Sequence, residues 1–315
     1  MASHKLWRTL SAFNHSARRW VPIPSSNAQH EVTEKPPLTP PSRPLPNVDG
    51  ISPPKKLSLV SWNIDTFSPR PAARSKLILN HVLEVPEAPD IIFLQEVTLG
   101  TRDSLLNDAR VRDGFLVTDA EGVASFKTNE DDEIGGRGSG KLVLGHISRI
   151  TLPSKYKRDA LSVDFIPPTV PDSVLRLINV HLDSLGDAIH YRAQQMEILA
   201  NVLREPGCSG GIIAGDFNAI SPEDGMLIHK NNLVDAWVAL HGTADTNEAA
   251  CTWGVGMKLR DGLAPGRLDK IAMLGVEPET IEVLRPSSIE VPRPGEESPS
   301  IPWSDHCGLR CTFAI

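Results

Sequence analysis

Five clusters of polar residues stand where apolar runs of the chain give way to loops: Asn63, Glu96, His181, Asp216 with Asn218, and Asp305 with His306. Rigid scaffolds hold reactive side chains at such junctions, and in open α/β sheets ligands bind at the carboxyl ends of the strands. Carboxylates, amides and imidazoles without cysteine form a hard donor set, suited to Mg²⁺ or Mn²⁺ rather than to structural zinc. Two imidazoles suit a phosphate that gains charge in its transition state, and an Asp beside an Asn suits activation and aiming of a water. Hydrolysis of a phosphate ester is the chemistry these residue types point to. Each has a plainer competitor. Asn63 and Asp65 could cap a turn, Glu96 could be a solvated acid, and His181 a satisfied core histidine. Asp269 sits inside an apolar run, where an acid is costly unless paired, and Arg267 or Lys270 are its neighbouring candidates.

The elements that must carry these residues read as alternating strands and helices, the pattern of an α/β protein with at least one mixed sheet. Lys56 to Trp62 alternates toward a first strand. A helix is expected over Ala72 to Leu83 and another over Leu99 to Ala109, the latter capped by Thr101. Ile91-Ile92-Phe93-Leu94 is a continuous apolar run, as in a strand buried on both faces. Further strands are expected over Phe115–Phe126, Lys141–Ile147, Ala160–Ile166, Val174–Leu182, Ile212–Ala214 and Arg267–Met273. Asp187 to Leu203 carries the clearest helical period, with Ala193, Met196, Leu199, Ala200 and Leu203 on one face and Arg192 and Glu197 directed elsewhere. Asn129 to Glu133 and Gly135 to Gly140 read as a solvated loop. Gly135 to Lys141 nearly spells a nucleotide-binding loop, but Leu142 stands where the Mg²⁺-binding Ser or Thr must be, so that reading is rejected. Lys155, Lys157 and Arg158 form a short basic run able to steer a nucleic-acid backbone or to face solvent.

Composition sets the limits. With 315 residues, 40% hydrophobic and 23% charged, the chain has an ordinary globular make-up. No apolar run reaches the roughly 18 residues of a membrane span. A net charge of −7 argues against a broadly basic, nucleic-acid-coating surface. Cys208, Cys251, Cys307 and Cys311 show no paired spacing and read as reduced intracellular thiols. Residues 1–54 are expected to form a disordered Pro-rich arm, because their prolines interrupt helices and ladders; residues 55–315 are expected to form the folded domain. Within the arm, Leu6 to Arg19 has the basic, Ser-containing composition of a mitochondrial transit peptide. A basic tail or nuclear-targeting segment is the alternative, and a nuclear location is the expectation.

Ser61-Trp62-Asn63-Ile64-Asp65, Leu94-Gln95-Glu96-Val97, Asn179-Val180-His181-Leu182, Gly215-Asp216-Phe217-Asn218, Leu268-Asp269-Lys270-Ile271 and Ser304-Asp305-His306 occur in order. In this they resemble the endonuclease/exonuclease/phosphatase superfamily, from about Lys56 to the carboxyl terminus. Within it the chain looks most like the 5′-tyrosyl-DNA phosphodiesterases, through Asn63-Ile64-Asp65, His181-Leu182-Asp183-Ser184, Cys251-Thr252-Trp253 and Ser304 to Leu309. The resemblance implies an α/β fold of two packed mixed sheets flanked by helices, in four layers, with the site at one rim. It implies a Mg²⁺ or Mn²⁺ ion bound by Glu96 with help from Asp305, and Asn63 anchoring the metal-site network. It assigns Asp216 to deprotonating the attacking water, Asn218 to positioning it, His181 and His306 to the phosphate oxygens, and Asp269 to orienting His306. Ser184 would donate to the phosphate unless it caps the following helix, and Trp253 would wall the substrate channel unless it only packs. The implied partner is a DNA 5′ end bearing a tyrosyl adduct, handled by a monomer. Phe217 departs from the small polar residue frequent at that position, and the arm is too short for a ubiquitin-binding domain, so a ubiquitin partner is not expected.

Overall fold

A computed structural model describes residues 5–23, 56–84, 88–120, 131–137 (backbone only), 143–167, 173–242, 248–293 and 298–315. Alternation within single strands dictates its layering. In the strand Lys56–Asn63, Leu57 and Leu59 face one way while Val60 and Trp62 face the other, and all four are fully buried. A strand buried on both faces needs a second sheet on one side and helices on the other.

One sheet has seven strands in the order β1 (Lys5–Arg8), β8 (Val143–Thr151), β9 (Asp159–Ile166), β10 (Val174–His181), β11 (Cys208–Asp216), β13 (Asp269–Leu274) and β12 (Val234–Asp235). The other has eight, in the order β14 (Glu277–Leu284), β17 (Gly308–Ala314), β4 (Lys56–Asn63), β5 (Ile91–Val97), β7 (Asp131–Arg137), β6 (Phe115–Thr118), β2 (Leu10–Asn14) and β3 (Arg19–Pro22). A two-stranded ribbon of β15 (Ser288–Glu290) and β16 (Ser300–Pro302) stands apart. The sheets meet through Leu57, Leu59, Phe93, Leu161, Phe165, Leu177, Ile212 and Phe313. Outside the first sheet, α4 (Ile189–Val202) lays Met196, Leu199 and Ala200 on Ile178, Val180 and Ile213. Short helices α5 (Pro222–Gly225), α6 (Leu227–Lys230) and α7 (Ala236–His241) lie in the loops between β11 and β13. Outside the second sheet, α1 (Pro71–Leu83) packs Ile78, Leu79 and Val82 against Val60 and Trp62, beside α2 (Leu99–Leu106) and α3 (Ala109–Gly114). The four-layer α/β sandwich expected from the sequence is what forms. No helix among the described residues is long and apolar enough to cross a membrane.

Several expectations need correcting. The disordered arm over residues 1–54 does not hold for residues 5–22. Leu6 to Arg19, with its transit-peptide composition, supplies two strands and the start of a third. β1 pairs with β8, β2 pairs with β6, and β3 closes a hairpin on β2; residues 24–55 lie outside the described part. The acidic, Gly-rich stretch read as a loop contributes β7, whose backbone pairs with β5 on one side and β6 on the other. The second helix breaks into α2 and α3 at Asn107, and its N-cap is Thr98 rather than Thr101. Arg192 does not turn outward. It is fully buried, its fork held by Asp224 at 2.6 and 2.9 Å. All four cysteines are free thiols, as expected.

Candidate active site

Two parallel strand pairs, one in each sheet, bring their carboxyl ends to the same rim. β4 runs beside β5 with Asn63 opposite Gln95, and β10 beside β11 with His181 opposite Asp216. β13 is antiparallel to β11, so its first residue, Asp269, lies opposite Asp216. β17 is antiparallel to β4, which delivers the preceding Ser304-Asp305-His306 loop to the same edge. A Cβ on Gly308, at the start of β17, would lie 2.4 Å from the Trp62 ring. Only glycine lets that loop close over the indole, whose Nε1 donates to the His306 carbonyl at 3.0 Å.

The sheets are joined at the site by polar bonds. The Asn63 amide donates to Glu96 Oε1 at 3.2 Å and to Asp216 Oδ2 at 3.0 Å, linking a residue of each sheet. Beneath it the Gln95 amide donates to Asn179 Oδ1 at 2.7 Å, and Asn179 donates to the Leu94 carbonyl at 3.1 Å. The register of β5 against β7 slips between Leu94 and Val97, and Glu96 takes φ 62° there. A left-handed non-glycine residue costs about 1–2 kcal/mol, and bulges of this kind re-aim a side chain. The strain turns Glu96 to the rim, where Thr66 N donates to its Oε2 at 3.0 Å. Asp65 and Asn218, at φ 50° and 47°, show the same local strain beside the site.

Asp216 is the hub. Its Oδ1 accepts from Asn218 N at 2.8 Å, while Oδ2 lies 3.4 Å from His181 Nε2 and 3.6 Å from His306 Nε2. His306 Nδ1 meets Asp269 Oδ2 at 2.8 Å, and Thr252 Oγ1 accepts from the backbone N of Asp269 at 2.9 Å. Burial alone would lower the His306 pKa, but Asp269 and Asp216 together hold it well above the ordinary imidazole value. Burial pushes Asp269 up to about 6 against the charge of His306. Near neutral pH His306 therefore carries the proton and Asp269 the negative charge. Burial works to raise the Asp216 pKa, yet the His306 imidazolium brings it below the ordinary carboxylate value. His181 goes the other way. Burial, with Arg158 and His306 nearby, lowers it to about 3, so its 3.4 Å approach to Asp216 is not an ion pair. Its Nε2 lies 3.0 Å from Arg158 Nη2, and a guanidinium can only donate, so Nε2 is the acceptor.

The structure thus joins Asn63, Glu96, His181, Asp216, Asn218, Asp269 and His306 in one chain of contacts. Asp305 stands beside it, with Oδ2 accepting from Trp253 Nε1 at 3.0 Å; burial raises its pKa. The Trp253 indole therefore holds the Asp305 carboxylate. Ser184 is half-buried beyond His181 and outside the network, and it caps no helix, since Leu185 and Ala188 hold the cap positions. Asp269 pairs with His306, while Arg267 pairs with Asp235 at 2.8 Å. The sequence shows Arg158 only as part of a basic run. Ser154 Oγ accepts from its backbone N at 2.8 Å and donates to Asp183, which pins that loop to the end of β10. Asn179 also went unassigned, although a polar residue amid Leu177, Ile178 and Val180 is a signal of buried bonding.

The donor chemistry fits a divalent cation. Among the described residues, Asp216, Asp269 and His306 each offer a donor atom within 4.8 Å of one another, and Glu96 adds a carboxylate from the opposite sheet. These are hard oxygen and imidazole donors, with no thiolate.

The endonuclease/exonuclease/phosphatase family model matches residues 60–306, and the chain belongs to that family of hydrolases. No curated protein matches it by sequence. Among solved structures, TDP2 (tyrosyl-DNA phosphodiesterase 2) from D. rerio, complexed with single strand DNA product, superposes with TM-score 0.62 at 22% identity, over 82% of this chain and 99% of that one. TDP2 from C. elegans gives 0.61 at 21% identity, over 82% of this chain and 75% of that one. An endonuclease/exonuclease/phosphatase family protein from Bacteroides thetaiotaomicron gives 0.59 at 15%, over 82% and 97%. At these identities the likeness establishes the fold.

Proposed function

We propose that this protein is a Mg²⁺-dependent phosphodiesterase that hydrolyses the tyrosyl ester at a DNA 5′ end. The observation that carries the reading is the Asn63 amide, which ties Glu96 of one sheet to Asp216 of the other and builds a single acid–imidazole site at the rim. The similarity to TDP2 structures, one of them holding single strand DNA product, supports the substrate class. Glu96, with Asp305 as a second carboxylate at the same rim, is the preferred metal position. An ion among Asp216, Asp269 and His306 would have to displace the proton that His306 holds so firmly. Held by Glu96 and Asp305, the ion would act as a Lewis acid on a phosphoryl oxygen.

The chain's own residues do the rest. Ionised Asp216 takes the proton of a water as its oxygen bonds to phosphorus, and Asn218, fixed by its bond to the Leu182 carbonyl at 2.9 Å, flanks that water. The His306 imidazolium sits against a non-bridging oxygen and stabilises the charge that develops there. On the other side Arg158, rather than neutral His181, brings the positive charge. The phosphorus–tyrosyl oxygen bond breaks, leaving a 5′-phosphate on DNA and releasing tyrosine or a peptide stub.

The test is a panel of oligonucleotides carrying a 5′-phosphotyrosyl group, an abasic site or ribonucleotides, together with a phospholipid substrate, each with and without Mg²⁺. Release of tyrosine with chelator-sensitive kinetics is expected, and Glu96→Ala should lower its rate by about three or more orders of magnitude with the fold intact. Turnover of another panel member without tyrosine release would reassign the substrate within the family.

A further inference from the structure

Behind the carboxylate side of the site lies a cation whose place the sequence gives no hint of. Arg74, in the first turn of α1, is 0% exposed. Its Nε donates to the Pro69 carbonyl at 2.8 Å. Nη1 donates to those of Ile64 at 3.2 Å and Trp303 at 2.5 Å, and Nη2 to those of Ser68 at 2.8 Å and Asp65. The five N–H groups of a guanidinium thus meet five carbonyl oxygens on two loops more than 200 residues apart in sequence. Arg70 at φ 60° and Pro71 at the first helical position start α1 so that its fourth residue, Arg74, reaches both loops.

Those two loops frame the proposed ion position. The first follows Asn63; its Asp65 N donates to Asn63 Oδ1 at 3.1 Å and its Thr66 N to Glu96 Oε2. The second carries Asp305; its Ser304 Oγ donates to the Asn63 carbonyl at 2.6 Å and accepts from His306 N at 3.0 Å. The carboxylates whose charge acts on Arg74 are Asp65, at 3.5 Å, and then Asp305 and Glu96. The guanidinium spends its donors on carbonyls, so it offsets the mutual repulsion of these carboxylates without bonding Glu96 or Asp305. A buried cation with no task at the site would not need to stand behind three acids from three separate segments.

We propose that Arg74 is a positioning residue that pre-forms the divalent-ion pocket, locking the 64–69 loop to the 303–305 loop so that Glu96 and Asp305 are set before the ion arrives. The inference rests on the metal reading above. Mn²⁺ binding to the full chain, measured by calorimetry and by the electron paramagnetic resonance of the free ion, tests it without recourse to turnover. Arg74→Lys keeps the charge and loses the fork. It should weaken Mn²⁺ by about tenfold or more, the size expected for a residue that orients metal ligands, while the KM at saturating Mn²⁺ moves little. Arg176→Lys is the control. Arg176 is also buried and is held by Asp164 at 2.7 Å and Glu205 at 2.6 Å, but near the far end of β10; it should lose stability and keep wild-type Mn²⁺ affinity. If Arg74→Lys does not fold, Ser304→Ala cuts the second loop from Asn63 and should weaken Mn²⁺ in the same sense. Equal Mn²⁺ affinity in wild type and the folded loop variant, or equal weakening by Arg176→Lys, would overturn the inference alone. Wild-type protein that takes up no Mn²⁺ would overturn the metal reading on which it stands.

Discussion

His181 and His306 stand on either side of one carboxylate oxygen of Asp216, at 3.4 and 3.6 Å, and hold opposite protonation states. For His181 the folded value, about 3, lies below the ordinary 6.5. Between those values the unfolded chain binds the proton and the folded chain does not. Stability from this group is therefore whole above pH 6.5 and lost as pH falls, by roughly 4 kcal/mol near the lower limit. For His306 the folded value is raised, so its contribution is whole below 6.5 and lost as pH rises through the folded value. Asp269, raised to about 6 from 3.8, costs stability above pH 6 and gives it back between 6 and 3.8, which blunts the acid limb. Urea midpoints taken from pH 7 to 4 should fall more steeply for wild type than for His181→Gln, and parallel curves would contradict the neutral His181. None of this was legible residue by residue. The sequence marks which side chains are titratable, but their states depend on Arg158, in the loop before β9, and on Asp269, at the start of β13, which the topology brings in from other segments.

At the scale of elements, the site depends on how closely β10 and β11 approach. Gly215 lies opposite Val180, one residue before the His181–Asp216 pair. It has φ 146°, and a Cβ there would stand 1.9 Å from the Val180 carbonyl oxygen. Gly215→Ala must force the strands apart beside the hub carboxylate. A loss of about 3 kcal/mol or more is expected in denaturant titrations, with activity lost in whatever fraction still folds; a stable, active variant would show that the strands tolerate the shift. Most of the strands that carry the site were legible, because continuous apolar runs such as Ile91–Phe93 and apolar-rich runs broken only by serine such as Leu57–Trp62 have one cheap solution. β7 was not. Its Asp, Glu and Gly residues have low strand propensity, and only the waiting backbone edges of β5 and β6 make an extended chain favourable there. Arg192 was misplaced for a related reason: helical periodicity sorts charged from apolar residues, and it is blind to Asp224 waiting beneath the helix.

For the molecule as a whole, residues 5–23 decide how two sheet edges are finished. β1 adds to the edge of one sheet at Ile147–Ile150, and β2 adds to the other at Val117 and Thr118. One short segment therefore clasps both layers. Leu10 packs into the inter-sheet core, and Trp20 packs under the outer helices. Lys5 pairs with Glu205, while Arg8 approaches Asp119 at 3.4 Å. Prolines farther along the amino-terminal stretch made the whole segment read as unfolded, since four- and five-residue strands contain too little alternation to announce themselves against that background. Removing residues 1–23 would leave β8 and β6 with unpaired backbone groups and would uncover apolar contacts in both layers, the condition that promotes edge-to-edge association. The truncated chain should melt about 5 °C or more below the full chain, show faster amide exchange in β8 and β6, and self-associate as concentration rises. The active-site rim is built from β4, β5, β10, β11, β13 and the loop before β17, so turnover per folded molecule should persist at low temperature. Unchanged melting and unchanged exchange in β8 and β6 would mean that the clasp does not form in solution.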